Sequence, residues 1–381
     1  MNTFCTYFNT KTCQSCRFIE VDYSEQLKAK ENRLKAGLSK IKGWVMLPPV
    51  ASKNLGFRNK AKMIVTGTID QPVIGLPGNT DLDSGREILD CPVHSQVIND
   101  ILAGLPEFIT MAKIAPYEIE SRKGELKGVI VYYSETSHEA YLRFVLRSKE
   151  AISRLQKHLP VLRNKFPVLT CFSANIQPVP HAILEGEEEV ILSEQHFIKH
   201  VIHDVEFRLG PKGFVQTNQL MAQKLYQTAA YWAEGLQIKK FVELFCGQGA
   251  FSFFMAKFVE QSVGFEINPD AVAAANATVT TLGIKNMNFK CADAANVGPE
   301  IKAISPDLLL VNPPRRGMAD SISILKDTPW PYVIYSSCSV DTLIKDLTEL
   351  DHLYEIHKVQ LFDMFPHTEH FETLVLLKSR T

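Results

Sequence analysis

From about residue 215 onward, short apolar runs alternate with helical stretches, and that alternation leaves few folds open. The runs are KFVELF (240–245), SVGFE (262–266), MNFKCA (287–292), DLLLVN (307–312) and YVIYSS (332–337). Most are followed by a helical segment, and short apolar strands alternating with helices indicate a doubly wound parallel sheet. A helix over 217–236 precedes them, with apolar residues three and four apart and Gly235 as its stop. The expected fold class is α/β, a Rossmann-like doubly wound sheet.

The rest of the chain reads differently. The first 90 or so residues look loop-rich, with turn signals at Leu47-Pro48-Pro49 and Leu76-Pro77-Gly78. From about 106 to 205 short strands dominate. GVIVYYS (128–134) and AYLRFVLRS (140–148) alternate as a hairpin would, with Arg143 and Arg147 on one face, and EEVILSEQHF (188–197) continues that style. Three regions are expected: 1–91, 92–205 and 206–381. A chain of 381 residues has room for two or three cores.

With 45% hydrophobic and 22% charged residues the composition is that of a soluble globular protein. No apolar run is long enough to span a bilayer, and the N-terminus lacks a signal pattern, so a cytoplasmic protein without membrane contact is expected. Net charge is −1, which argues against a nucleic-acid partner until its distribution is considered. Residues 1–62 carry 12 Lys or Arg against 4 Asp or Glu, a balance of +8. Lys28, Lys30, Arg33, Lys35, Lys40, Lys42, Arg58, Lys60 and Lys62 could face a phosphate backbone; a solvated helix face accounts for them equally well.

The run ELFCGQGAFSFFMAKF (243–258) takes a strand through Cys246-Gly247-Gln248-Gly249 into a helix. Such glycines let backbone approach a ligand while the helix start offers free N–H groups. Two glycines fall short of the dinucleotide fingerprint, which favours a nucleotide-like cofactor without a pyrophosphate. Glu266, ending the next strand, could hold ribose hydroxyls, and Asp293, after the third, could border an adenine. Asn268-Pro269 opens the following helix as cap and first turn. The loop, Glu266 and Asp293 together resemble the class I S-adenosylmethionine methyltransferases.

Asn312-Pro313-Pro314 ends the fourth strand as a rigid ledge. The turn also resembles the Asn-Pro-Pro-aromatic motif of amino-methyltransferases, but here Arg315 replaces the aromatic. Cys338 follows the next strand in SSCS, and Glu372 lies in FPHTEHFE (365–372). An amine nucleophile needs no thiol. Carbon 5 of uracil does: thiolate addition at carbon 6 turns the ring into an enolate, and a carboxylate can take the carbon-5 proton.

The segments NPPRRG, SSCS and FPHTEHFE resemble the RNA uracil-C5 methyltransferases over essentially the whole chain. That resemblance implies Cys338 as nucleophile, Glu372 as base, and His370 on the family's histidine. It implies S-adenosylmethionine contacts at Gln216, Phe245, Glu266 and Asn312, beside Gly247, Gly249 and Asp293. Many members carry Asp where this chain has Asn312, so no charge is expected there.

Cys5, Cys13 and Cys16 form C-x7-C-x2-C, with Cys91 downstream in ILDCPVHS. Four thiolates suit zinc or a [4Fe-4S] cluster, and the spacing does not choose. The resemblance does: ribosomal members carry a [4Fe-4S] cluster on such a set. Cys171, Cys246 and Cys291 read as small apolar fillers. His196, His200 and His203 fall on both faces of a strand, a poor metal site. Ribosomal members with an extra N-terminal oligonucleotide-binding barrel begin their cysteine set well into the chain, so with the set starting at Cys5 the resemblance implies that no such barrel is expected. This matches the smaller 23S rRNA branch, whose target is uracil 747. The expected partner is a 23S rRNA stem-loop with a flipped uridine, met by a monomer. The competing readings are the same chemistry on another rRNA or tRNA uridine, and a non-catalytic iron–sulfur RNA-binding protein.

Overall fold

The computed structural model describes residues 3–78, 84–180 and 185–380. The chain begins with α1 (Thr6–Asn9), α2 (Tyr23–Gly37) and the short strand β1 (Val45–Met46). Next come β2 (Lys60–Gly67), β3 (Pro72–Pro77), β4 (Gly85–Glu87) and α3 (Gln96–Met111). They are followed by β5 (Leu126–Ser134), β6 (Glu139–Leu146), α4 (Ile152–Lys165), β7 (Leu169–Ile176) and β8 (Glu188–Ile191). A hairpin of β9 (Ile198–Ile202) and β10 (Val205–Leu209) leads to α5 (Gln219–Glu234). The alternating half then runs β11 (Lys240–Leu244), α6 (Ala250–Met255), β12 (Gln261–Glu266), α7 (Pro269–Leu282) and β13 (Met287–Cys291). It continues through α8 (Gly298–Ile304), β14 (Leu308–Val311), α9 (Ser323–Lys326), β15 (Tyr332–Ser337) and α10 (Val340–Leu350). A closing hairpin pairs β16 (Tyr354–Phe362) with β17 (Glu372–Ser379).

The chain divides into two compact units: Met1–Cys16 with Lys53–Lys212, and Arg17–Ser52 with Gly213–Thr381. These cut across the regions expected from sequence, because residues 17–52 pack with the C-terminal half. The stretch thought loop-rich contains the fifteen-residue α2. The positions it buries are Gln26, Lys30 and Leu34, four residues apart. Two of these are polar, so the apolar periodicity that announces a docked helix is missing. Lys30 is therefore not free to face RNA.

In the first unit, seven strands run in the order β4-β3-β2-β5-β6-β7-β8, antiparallel except for β6 beside β7. The hairpin over 128–148 forms with Val131 opposite Leu142. α3 seals one face, its Ile98, Leu102, Leu105 and Phe108 packing with Val129, Val131, Leu142 and Phe144. Arg143 is buried and gripped by Glu189, whose two oxygens accept from its Nε at 2.9 Å. Arg147 lies one residue past β6 and pairs with Glu125 at 2.6 Å. His200 is buried in β9, whereas His203 sits exposed at the hairpin turn with φ of 54°.

The second unit carries the doubly wound sheet, in the order β1-β16-β17-β15-β14-β11-β12-β13. Strands β11 to β15 are parallel, and β17 alone runs against its neighbours. Val242, Leu244, Val263, Phe265, Leu309, Val311, Val333 and Tyr335 form its core with Leu343 and Leu347 of α10. Among the described residues, no helix is long and apolar enough to cross a membrane.

Candidate active site

Ligands of open parallel sheets bind beyond the carboxyl ends of the strands, at the point where strand order reverses. Here β11 leaves the sheet centre at that reversal, and its end carries Phe245, Gly247 and Gly249. Phe245, Gly247 and Gly249 have φ of 58°, 55° and 80°. The two glycines are needed for different reasons. A Cβ on Gly249 would stand 2.2 Å from the Phe289 ring, so it is a packing glycine. A Cβ on Gly247 would meet nothing within 4 Å, so its backbone borders an open cradle.

Glu266, ending β12, is tied to that loop: its Oε2 accepts from the Gly247 amide at 3.0 Å and its Oε1 from Asn268 at 2.9 Å. A carboxylate has about four acceptor sites, so those facing a ribose stay available. Asn268 caps α7, with Pro269 in its first turn. Exposed Asp293 follows β13 and accepts from the Ala295 amide at 3.0 Å. Half-buried Asn312 follows β14, held by its amide to the Leu244 carbonyl at 3.4 Å. Gln216 lies half-buried in the loop before α5. Four of these groups thus stand at the ends of consecutive neighbours in one sheet. Glu243, inside β11, is a different kind of carboxyl. It is fully buried, accepts from the Ser252 amide at 2.9 Å, and is pushed up to about 8 by burial.

Cys338 lies just past β15, half-buried. β17 runs antiparallel beside β15 with Ser337 opposite Thr373, so the next step of that register sets Cys338 opposite Glu372. Cross-strand neighbours have Cβ atoms about 5 Å apart. Glu372 is 2% exposed, and its Oε2 has no hydrogen-bond partner among the described residues. Burial raises its carboxyl to about 8, opposed by the charge of Arg315. The Cys338 thiol is also raised, first by burial and then by Glu372, and drawn back by the charge and hydrogen bond of Arg315. A thiol, a carboxyl held largely neutral near pH 7 and a guanidinium are therefore close enough to shift one another.

The sequence marked Arg315 only as the residue that is not aromatic. Its backbone is fixed from α10, where Thr342 Oγ1 donates to the Arg315 carbonyl at 3.2 Å. Buried Asp346 accepts from the Met318 amide at 2.9 Å and from the Tyr335 hydroxyl at 2.7 Å. Gly317 makes this turn possible with φ of 77°, where a Cβ would stand 2.8 Å from Asp346 Oδ2. Asp346 was missed because one acidic residue in an amphipathic helix carries no distinguishing signal. Half-buried His370 is lowered by burial and then by Arg315, which puts it beside the same guanidinium.

The N-terminal thiols lie near enough to influence one another, all within the first unit. The Tyr7 hydroxyl accepts from the Leu89 and Asp90 amides at 3.1 Å, and Arg86 Nη1 donates to the Thr12 carbonyl at 2.6 Å. These bonds bring the segment bearing Cys5, Cys13 and Cys16 to Cys91. The Cys16 thiol is pushed up to about 12 by burial and then by Cys91, Cys13 and Cys5. Among the described residues, no group of three or more His, Cys, Asp or Glu side chains is arranged to hold a metal ion. Cys171 and Cys246 are buried fillers as expected, whereas Cys291 is exposed at the end of β13.

A family model described as tRNA (Uracil-5-)-methyltransferase matches residues 183–380. The chain is 38% identical over 374 residues to the 23S rRNA (uracil(747)-C(5))-methyltransferase RlmC of Proteus mirabilis, covering 98% of both. It is 40% identical over 376 residues to the protein of that name from Xenorhabdus nematophila, covering 98% of this chain and 99% of the relative. Its fold is similar to that of the Pyrococcus abyssi tRNA (uracil-54, C5)-methyltransferase in complex with S-adenosyl-L-homocysteine. There the TM-score is 0.79 at 24% identity, over 95% of this chain and 85% of the other. With a matching model over more than half its length and relatives alike from end to end, the chain belongs to the tRNA (uracil-5-)-methyltransferase family.

Proposed function

We propose that this protein methylates carbon 5 of a uridine in 23S rRNA, uracil 747, through a covalent bond between Cys338 and carbon 6 of the base. The observation that carries the reading is the pairing of β15 with β17, which ends with Ser337 opposite Thr373 and so leaves the next residues, Cys338 and the buried Glu372, side by side at the ligand-binding edge of the sheet. Family membership and the names of the full-length relatives support the RNA and the position.

S-adenosylmethionine, when bound, supplies a methyl group on a positively charged sulfur. The backbone at Gly247 and Gly249, with Phe245, Glu266, Asp293, Asn312 and Gln216, would hold it. The target uridine is turned out of its stack. The Cys338 thiolate, favoured by Arg315, adds to carbon 6, and the double-bond electrons move toward the carbon-4 oxygen. Carbon 5 then takes the methyl group, and the sulfonium sulfur keeps the bonding pair. Glu372 accepts the carbon-5 proton. The pair left behind rebuilds the 5,6 double bond as the carbon–sulfur bond breaks and returns the thiolate. One proton leaves to solvent in each turnover.

Cys5, Cys13, Cys16 and Cys91 would hold a [4Fe-4S] cluster, stapling their segments together. Four soft thiolates with burial and mutual repulsion suit a cationic cluster. The methyl transfer itself is redox-neutral and needs no electron from it. Exposed basic groups, among them Arg17, Arg33 and Arg315, suit phosphates of the RNA stem-loop.

The test is methylation of defined transcripts with tritium-release mapping. Release from a 23S rRNA fragment only at uracil 747, lost in Cys338→Ala with cofactor binding kept, is the expected outcome. Methylation of tRNA but not of the 23S fragment would overturn the substrate, and normal turnover by Cys338→Ala the chemistry.

A further inference from the structure

The base enters β17 directly from the loop 363–371, and that loop is held by the two buried polar residues of α2. Lys30 and Gln26 lie one helical turn apart and are 2% and 1% exposed. Lys30 Nζ donates to Asp363 Oδ1 at 2.6 Å and to the Phe365 carbonyl at 3.0 Å. Gln26 Oε1 accepts from the His367 amide at 2.9 Å, while its Nε2 lies 3.1 Å from His367 Nδ1. The same Nε2 donates to the Phe18 and Val21 carbonyls at 2.9 Å, and the Phe18 amide donates to the His367 carbonyl at 3.0 Å. His367 is held at φ of 64°, a strained conformation for a residue with a side chain. The loop is thus gripped at its first, third and fifth residues, the last of them five positions ahead of Glu372.

We propose that Gln26 and Lys30 are positioning residues of the reaction, locking the loop 363–371 so that Glu372 enters β17 facing Cys338. The inference rests on the reading of Glu372 as the base. Mere docking of α2 accounts poorly for the choice of residues. Apolar side chains would dock a helix as well, since exchanging a buried ion pair for well-packed apolar groups is often neutral or stabilising. Hydrogen bonds add direction. These bonds fix carbonyl and amide groups of the loop itself, and a shift of about 1 Å at a reacting group can slow a step about a hundredfold.

The test uses the full chain with 23S rRNA fragment carrying tritium at carbon 5 of the target uridine. Two variants are compared with wild type: Gln26→Leu, and the paired exchange Lys30→Met with Asp363→Leu, which keeps the buried volume and removes both charges. In each sample the covalent protein–RNA adduct and the released tritium are measured together, and melting temperature and S-adenosylhomocysteine affinity are recorded. The expected result is tritium release per adduct slowed roughly tenfold to a hundredfold, with adduct accumulating and cofactor affinity within about twofold. A purely structural role would lower the amount of active protein and leave release per adduct unchanged. That outcome in both variants overturns the inference. Glu372→Gln is run beside them: if it accumulates no adduct, the assignment of the base fails, whatever the α2 variants do.

Discussion

The carboxyl of Glu372 is raised to about 8 because it is buried, its Oε2 having no hydrogen-bond partner among the described residues, and this makes a quantitative demand on the reaction. A base acts only when ionised, so about one enzyme in ten is competent at pH 7 and about nine in ten at pH 9. Proton removal from the adduct should therefore rise about tenfold across that range, with its midpoint near 8. The overall rate would not isolate this step, because the Cys338 thiol is raised too and addition also quickens with pH. Dividing tritium release by the adduct present removes the addition step. In rapid-quench experiments at saturating cofactor, both are read from the same samples between pH 6 and 9. Glu372→Gln should cut the ratio by about a hundredfold to ten-thousandfold and flatten its pH dependence. A wild-type ratio that is constant across the range would refute the reasoning, since the proton would then be going to a group already ionised throughout.

Three further outcomes are expected. Arg315→Met removes the charge that favours both the ionised thiol and the ionised carboxyl, so adduct formation and adduct resolution should both shift to higher pH; unchanged profiles would separate Arg315 from the pair. Gly249→Ala drives a Cβ into the Phe289 ring and should lower stability by about 2 kcal/mol or more, whereas Gly247→Ala should cost only about 1 kcal/mol and act mainly on S-adenosylhomocysteine affinity; denaturant melts and calorimetry tell them apart. Glu243 is raised from an ordinary carboxyl value to about 8, so it contributes stability below about pH 4.5 that is lost as pH rises toward 8. Glu243→Gln keeps an acceptor for the Ser252 amide and never ionises. It should lose several degrees less than wild type when melts at pH 6 and pH 9 are compared; equal losses would show that the Glu243 carboxyl is already ionised in the fold at pH 6 and is not raised.

The doubly wound sheet was legible because its central strands are buried on both faces and read as short, largely apolar runs. The glycine loop was legible in kind, but the separate needs of Gly247 and Gly249 appear only when the Phe289 ring is in place. α2 was hidden for a definite reason. Lys30 belongs to a run of basic residues, and in sequence a buried lysine looks the same as a solvated one until Asp363, 333 residues away, closes on it. Arg315 and Asp346 were hidden likewise, since the contacts of each depend on a backbone turn at Gly317 that brings the loop after β14 to α10.

The placement of Glu372 follows from topology more than from its own surroundings. In a sheet of parallel strands every carboxyl end lies at one edge, and each following residue can reach a ligand there. A residue at the start of a strand lies at the opposite edge, away from the chemistry. β17 is antiparallel to both neighbours, so its start lies where β15 ends. One inverted strand therefore lets the chain deliver Cys338 and Glu372, the two groups proposed to react, to the same edge from adjacent strands, without depending on a long mobile loop to carry either. It also sets a requirement: the loop 363–371 must turn the chain back at the ligand edge and still enter β17 in a single register. A slip of one residue would turn Glu372 to the other face of the sheet and bring Thr373 opposite Cys338. The buried bonds from α2 to that loop act at this point, and they lie within the one unit that holds both α2 and Glu372.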